Sequence, residues 1–233
     1  MEHPLKRPLF VEFYGLPGCG KSTVSHLVAS KLRDVGFLVY EPSYEIDRNC
    51  SPFIRKLKKL SIYLSWLVFH NNTFKKVSAI VAKNGYTGFA KIEQTSNVLQ
   101  KISEYQKRGP NRVAIWDQGL LQASVSLSLK GEINADENLT GLQDILGSNV
   151  EILSVLISVE EKVALERMSQ RTTNDSRVEK LKDANQKHVM LQRFQDGIDS
   201  ISKQNKSLVV NGAAPIDNQF EQITKEIISN CVQ

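Results

Sequence analysis

This sequence predicts an α/β fold built on a central five-stranded parallel sheet. Three observations support it. Five short apolar runs, Leu9–Tyr14, Phe37–Glu41, Arg112–Trp116, Val150–Ser158 and Ser207–Val210, are continuous rather than alternating. Parallel strands covered on both faces read that way. Helical patterns separate the runs, an alternation that builds helices onto both faces of a sheet, a three-layer fold. The third observation is a glycine-rich segment where the first strand meets the first helix, a place where such folds bind anions.

The helices are expected over Lys21–Val35, Pro52–His70, Asn72–Asn84, Ala90–Arg108, Glu160–Arg171, Val178–Lys203 and Ile216–Ser229. Lys21–Val35 is amphipathic, and Gly36 stands where a C-terminal glycine ends a helix. About 70 residues, 42–111, separate the second strand from the third, far more than one crossover needs. This block is expected to be a helical insertion over the carboxyl edge of the sheet, where ligands bind. No linker composition marks its borders, so residues 1–233 are read as one domain.

The 233 residues are 41% hydrophobic and 24% charged, which excludes a disordered chain. Thirty Lys and Arg against 25 Asp and Glu give a net charge of +5, suited to phosphate-bearing ligands. The densest basic cluster is Arg55, Lys56, Lys58 and Lys59, interleaved with Leu57 and Leu60. It reads as the solvated face of a helix, so nucleic acid is not an expected partner. Cys19, Cys50 and Cys231 are too scattered for a disulfide framework or a zinc site, which fits a reducing cytoplasm. The N-terminus shows no signal-peptide core, and the most apolar stretch, Leu60–Phe69, is too short to span a bilayer. No membrane partner is expected; a homodimer is left open.

Gly15-Leu16-Pro17-Gly18-Cys19-Gly20-Lys21-Ser22 matches G-x-x-x-x-G-K-S/T in full, directly after a strand and opening a helix. That context makes it a phosphate-binding P-loop. Gly15, Pro17, Gly18, Cys19, Gly20, Lys21, Ser22 and Thr23 surround the phosphates, all but Pro17 through backbone N–H groups and Pro17 through shape alone. The helix N-terminus adds partial positive charge. Lys21 reaches the β- and γ-phosphates of ATP, and the Ser22 hydroxyl ligates Mg²⁺. Cys19 reads as a small residue at a variable loop position rather than as a reactive thiol.

Three further segments, in this order along the chain, resemble the P-loop small-molecule kinases, in particular the thymidylate kinase and deoxynucleoside kinase group. The first is Val39-Tyr40-Glu41-Pro42. The resemblance implies that Glu41 is the base for an acceptor hydroxyl, with Glu45 a weaker competitor. The second is Ile115-Trp116-Asp117-Gln118-Gly119, in which Asp117 holds Mg²⁺ or orients the acceptor. The family commonly has arginine where this chain has Gln118 and Tyr40. Those departures disfavour a monophosphate acceptor unless Arg48 or Arg55 substitutes. The third is Glu166-Arg167-Met168-Ser169-Gln170-Arg171, continuing to Arg177. It resembles the lid of these kinases (residues 166–177), in which Arg167 and Arg171, four apart on a helix, close over the triphosphate. In the same kinases the loop corresponding to 211–215 lies against adenine.

The insertion is expected to carry acceptor specificity. Its aromatic residues, Tyr44, Phe53, Tyr63, Trp66, Phe69, Phe74, Tyr86 and Phe89, read as core rather than as base-stacking groups. No role is assigned to His70 or His188. Together these features imply an ATP- and Mg²⁺-dependent phosphotransferase acting on a small molecule such as a nucleoside or nucleotide. The loop also fits an ATPase acting as a nucleotide-dependent switch, or a kinase of polynucleotide ends or nucleotide sugars.

Overall fold

The computed structural model describes residues 9–42, 52–106, 112–131, 133–147, 152–171 and 177–232. Tyr44, Glu45, Arg48, Cys50 and the turn 172–176 lie outside them, as do the side chains of Phe53, Arg55, Lys56, Lys58 and Lys59.

Five strands form one parallel sheet: β1 (Leu9–Gly15), β2 (Val39–Tyr40), β3 (Val113–Trp116), β4 (Ile152–Ser158) and β5 (Ser207–Asn211). Their spatial order is β2-β3-β1-β4-β5. β1 is buried at all seven positions, which is why its sequence is almost continuously apolar. It pairs with β3 from Leu9↔Val113 to Glu12↔Trp116, and with β4 from Phe10↔Ile152 to Gly15↔Ile157. The chain thus crosses from one side of β1 to the other between β3 and β4. That switch opens a crevice at the carboxyl end of β1, where the P-loop begins.

Helix α1 (Lys21–Asp34) follows the loop and ends as expected: Gly36 has φ +93°, and the Phe37 N–H reaches Leu32 O at 2.9 Å. Among the described residues, three helices lie between β2 and β3: α2 (Pro52–Phe69), α3 (Asn71–Lys83) and α4 (Gly88–Gln106). They pack on one another, and their buried residues Trp66, Phe74, Val77, Leu99 and Tyr105 join the same hydrophobic cluster as the sheet. Tyr105 and Trp116 both stack against Phe10 of β1.

Two helices that the sequence reading did not anticipate occupy residues between β3 and β4: α5 (Leu120–Ser128) and α6 (Ala135–Leu146). α5 is buried at Leu120–Val125 and again at Leu127, so it carries no polar stripe from which a helical period could be read. Its serines bond back to the preceding turn, Ser124 Oγ to Leu120 O at 2.9 Å. α6 had legible signals, Asp136 and Glu137 in its first turn and Gly147 after its end. A reciprocal amide pair, Asn84 to Asn138 at 2.6 and 3.0 Å, ties the end of α3 to α6.

The remaining helices are α7 (Glu161–Ser169), α8 (Ala184–Gln204) and α9 (Ile216–Val232). α8 starts six residues later than expected because Asp183 caps it, accepting the Gln186 N–H at 2.9 Å. α1 and α9 pack together against one side of the sheet, whereas α5 and α8 pack together against β1.

Candidate active site

The P-loop lies between β1 and α1 with tight clearances. Gly18 has φ +85°, and a Cβ there would sit 2.5 Å from Ala164 O of α7. Only glycine supplies both the conformation and the room. The first loop N–H, that of Gly15, is held by Gln122 Oε1 of α5 at 3.1 Å. Lys21 is buried, its ammonium donating to Gly15 O at 2.9 Å and Leu16 O at 2.8 Å. The Cys19 thiol is 1% exposed and 3.5 Å from that ammonium.

Ser22 Oγ donates to Asp117 Oδ2 at 2.7 Å, joining the start of α1 to the tip of β3. The other oxygen, Asp117 Oδ1, is buried and makes no hydrogen bond. A hydroxyl and a carboxylate with a spare oxygen suit a hard cation such as Mg²⁺, which binds through one or two protein oxygens and completes its shell with phosphate and water. No larger cluster of His, Cys, Asp and Glu exists among the described residues.

The turn bearing Asp117 is fixed by a residue the sequence reading missed. Glu12, in the middle of β1, is fully buried and accepts the N–H groups of Leu120 at 2.7 Å and Leu121 at 3.0 Å, and the Tyr105 hydroxyl. It caps α5 from inside the sheet, and Gly119 leaves the space its carboxylate fills. Burial pushes the Glu12 carboxyl above its ordinary range, against the pull of these donors and of the Lys101 charge. Burial and the Glu12 charge likewise push the Tyr105 hydroxyl up. The signal available in the sequence was a single acid inside an otherwise apolar strand.

In front of the loop lies a cavity of about 660 Å³. Pro17, Gly18, Gly20, Lys21, Ser22 and Thr23 form one wall. The facing wall is a polar row on α4, Glu93, Gln94, Asn97, Gln100, Lys101 and Glu104, which recurs every three or four residues on one helix face. Lys101 donates its ammonium to Gln118 O, placing a cation beside the position where arginine is missing. Gln118 and Gln122 line the cavity too.

The arginines expected to form a lid divide. Arg171 and Arg177 line the cavity. Arg177 also reaches Tyr86 Oη at 3.2 Å and Ser126 O at 3.3 Å, and Arg171 lies 3.7 Å from Glu179 Oε1. Arg167 does not line it. Its guanidinium donates to Cys19 O at 3.1 Å and Gly212 O at 2.9 Å, clamping the P-loop to the loop after β5. Glu41 is not among the described residues that line the cavity. Its buried carboxylate is 2.6 Å from Arg33 of α1 and 3.2 Å from His26 Nδ1.

Trp66, Phe74 and Tyr86 are core as expected, whereas Phe69 and Phe89 are 76% and 75% exposed. His70 packs on the Trp66 ring, and His188 bonds Glu161 at 2.6 Å.

No family model matches the sequence, and no curated protein is significantly similar to it. Solved structures are similar. A deoxyadenosine kinase from M. mycoides with bound dATP superposes with a TM-score of 0.54 at 15% identity, covering 94% of this chain and 98% of that one. The fold is that of the deoxynucleoside kinases. The same enzyme holding the product dCMP and a flexible dCDP gives 0.53 at 15% identity, with coverages of 94% and 98%. Its dCTP-bound form gives 0.52 at 14%, with 94% and 99%. The likeness spans nearly the whole chain, insertion included, as the thin resemblance in the sequence implied.

Proposed function

We propose that this protein transfers the γ-phosphoryl group of ATP to the hydroxyl of a nucleoside. The observation that carries the reading is the cavity itself. It joins a complete P-loop to a facing wall of amides and acids with one cation. A switch that only hydrolyses ATP has no use for that second wall.

Lys21 leaves its backbone carbonyls to meet the γ-phosphate, and the loop N–H groups hold the phosphate chain in line with the acceptor. Ser22 and Asp117 hold Mg²⁺, which when bound offsets charge on the β- and γ-phosphates. Arg171 and Arg177 stabilise the charge of the transferring group from the lid side, and residues 166–177 exclude water when they close. Arg167 acts through the loop, keeping the Cys19 carbonyl turned away from the phosphates.

On the α4 wall, Gln94, Asn97 and Gln100 offer both donors and acceptors, the chemistry that reads a nucleobase edge. Glu104 and Glu93 stand on the same wall and take the base role that the resemblance gave to Glu41, whose carboxylate is engaged by Arg33 and His26. A wall with one cation and two acids suits an uncharged nucleoside better than its monophosphate. The solved neighbours fit: they are described as a deoxyadenosine kinase and hold deoxynucleotides. In this reading the chain is one domain, with residues 42–111 as its acceptor-binding insertion.

The test is phosphoryl transfer from labelled Mg-ATP to separate pools of nucleosides, deoxynucleosides and their monophosphates. Labelled product from a nucleoside pool is expected. Transfer only to monophosphates, or ADP release indifferent to every pool, would refute the reading.

A further inference from the structure

Residues 48–92 contain nine Lys and Arg and not one Asp or Glu. The chain's net charge is +5, so everything outside this segment is net acidic. The segment contains α2 and α3, and Lys75, Lys76 and Lys83 of α3 are exposed. The catalytic proposal uses none of these charges.

The same segment exposes apolar side chains. Leu57, Leu60, Leu64 and Leu67 of α2 are 51%, 48%, 50% and 40% exposed, and Val68 is 67% exposed. Spacings of three and four residues put them on one face of the helix, which is about 27 Å long at 18 residues. The opposite face carries Trp66, buried against the rest of the protein. Phe69 at the helix end and Phe89 at the start of α4 are the most exposed of the large apolar residues.

We infer that the α2 face is a docking surface for an anionic lipid bilayer. A helix lying in the interface presents an apolar face to the acyl boundary, with Lys and Arg around it meeting acidic headgroups. α2 supplies the apolar face and the exposed Lys75, Lys76 and Lys83 of α3 supply cations, and residues 48–92 hold no acid to repel the surface. Other occupants meet one requirement and fail the other. A nucleic acid would satisfy the cations and leave a row of leucines against water. A second copy would cover the leucines and bring two acid-free basic segments together. No described helix is long and apolar enough to cross a membrane, so the contact is peripheral. The expectation of no membrane partner rested on the lack of a spanning segment, which does not bear on a helix lying flat.

The experiment is co-sedimentation of the full chain with vesicles of phosphatidylcholine alone and with about 30% phosphatidylserine, alongside gel filtration. Binding to the anionic vesicles only is expected, falling at least severalfold between roughly 0.1 M and 0.5 M salt. The double variant Leu60→Ser/Leu64→Ser removes surface side chains rather than core, and should lose about tenfold or more of that binding. Lys75→Glu/Lys76→Glu should weaken it too, with far-UV circular dichroism unchanged in both. No sedimentation with anionic vesicles would overturn the inference. So would undiminished binding by the leucine variant, or a wild-type dimer that this variant converts to monomer.

Discussion

Ser22 and Asp117 meet at 2.7 Å across the carboxyl ends of β1 and β3, although 95 residues separate them in sequence. The sheet order brings them together, because β3 lies directly beside β1. Everything proposed for the cation rests on this pair and on the spare Asp117 oxygen. Asp117→Asn keeps the shape and removes the charge. Its Mg²⁺ requirement should rise roughly 10–100-fold with ATP affinity in excess Mg²⁺ little changed. A magnesium titration of initial rates reads this, and an unchanged half-saturation would remove Asp117 from the site.

The two arginines of the Glu166–Arg171 segment should separate cleanly. Arg167→Met loses two charge-assisted hydrogen bonds to backbone carbonyls and should cost about 2–3 kcal/mol of stability. Arg171→Met, which loses a single long ion pair to Glu179, should lower the melting temperature less than Arg167→Met does and cut kcat by on the order of 100-fold. Thermal melts and steady-state rates on both variants check the assignment. The reverse pattern would restore Arg167 to the catalytic role that the resemblance implied.

Glu12 gives a pH dependence with a definite sign. Its carboxyl is raised from 4.5 by burial, so the folded state holds the proton more tightly than the unfolded chain does. The stability it contributes is full below pH 4.5 and is lost as pH rises through the raised value. Glu12→Gln stays neutral and lacks that slope. The unfolding free energy of the wild type relative to the variant should fall as pH rises above 4.5. The fall is about 1.4 kcal/mol for each unit of raised pKa. Urea midpoints at a series of pH values measure it, and a difference that grows with pH would contradict the sign.

The Asn84–Asn138 pair ties the end of α3 to α6. Asn84→Ala leaves the Asn138 amide buried without its partner and should cost about 1–3 kcal/mol. Replacing both with leucine should cost less than the single change, because no unpaired polar group remains. Denaturant unfolding of the three proteins decides this. A double variant as unstable as the sum of the single changes would show that the amides do not act as a unit.

Much of the framework was legible because local chemistry and tertiary role agree there. The strand at Leu9 and the glycine motif after it had to adjoin, and Gly36 had to end α1. α5 was invisible for the opposite reason: burial all round erases the period that exposes a helix. At the site, sequence order named Ser22, Lys21 and Asp117, because the motif and a strand tip carry their own geometry. It missed Glu12, Gln122 and the α4 row, whose roles exist only once α4 and α5 pack beside β1. It did not anticipate the partners of Glu41 and Arg167. Neighbouring elements captured both: Arg33 for the carboxylate, and the Cys19 and Gly212 carbonyls for the guanidinium.

The most direct measurement is ADP formation from Mg-ATP by the wild-type protein and by Lys21→Ala, with and without a mixture of deoxynucleosides. The mixture should stimulate the wild type, and the variant should lose at least about 100-fold of that rate while keeping its circular dichroism spectrum. A folded Lys21→Ala protein with full activity would contradict phosphoryl transfer at the P-loop, and a wild type that no nucleoside stimulates would contradict the acceptor.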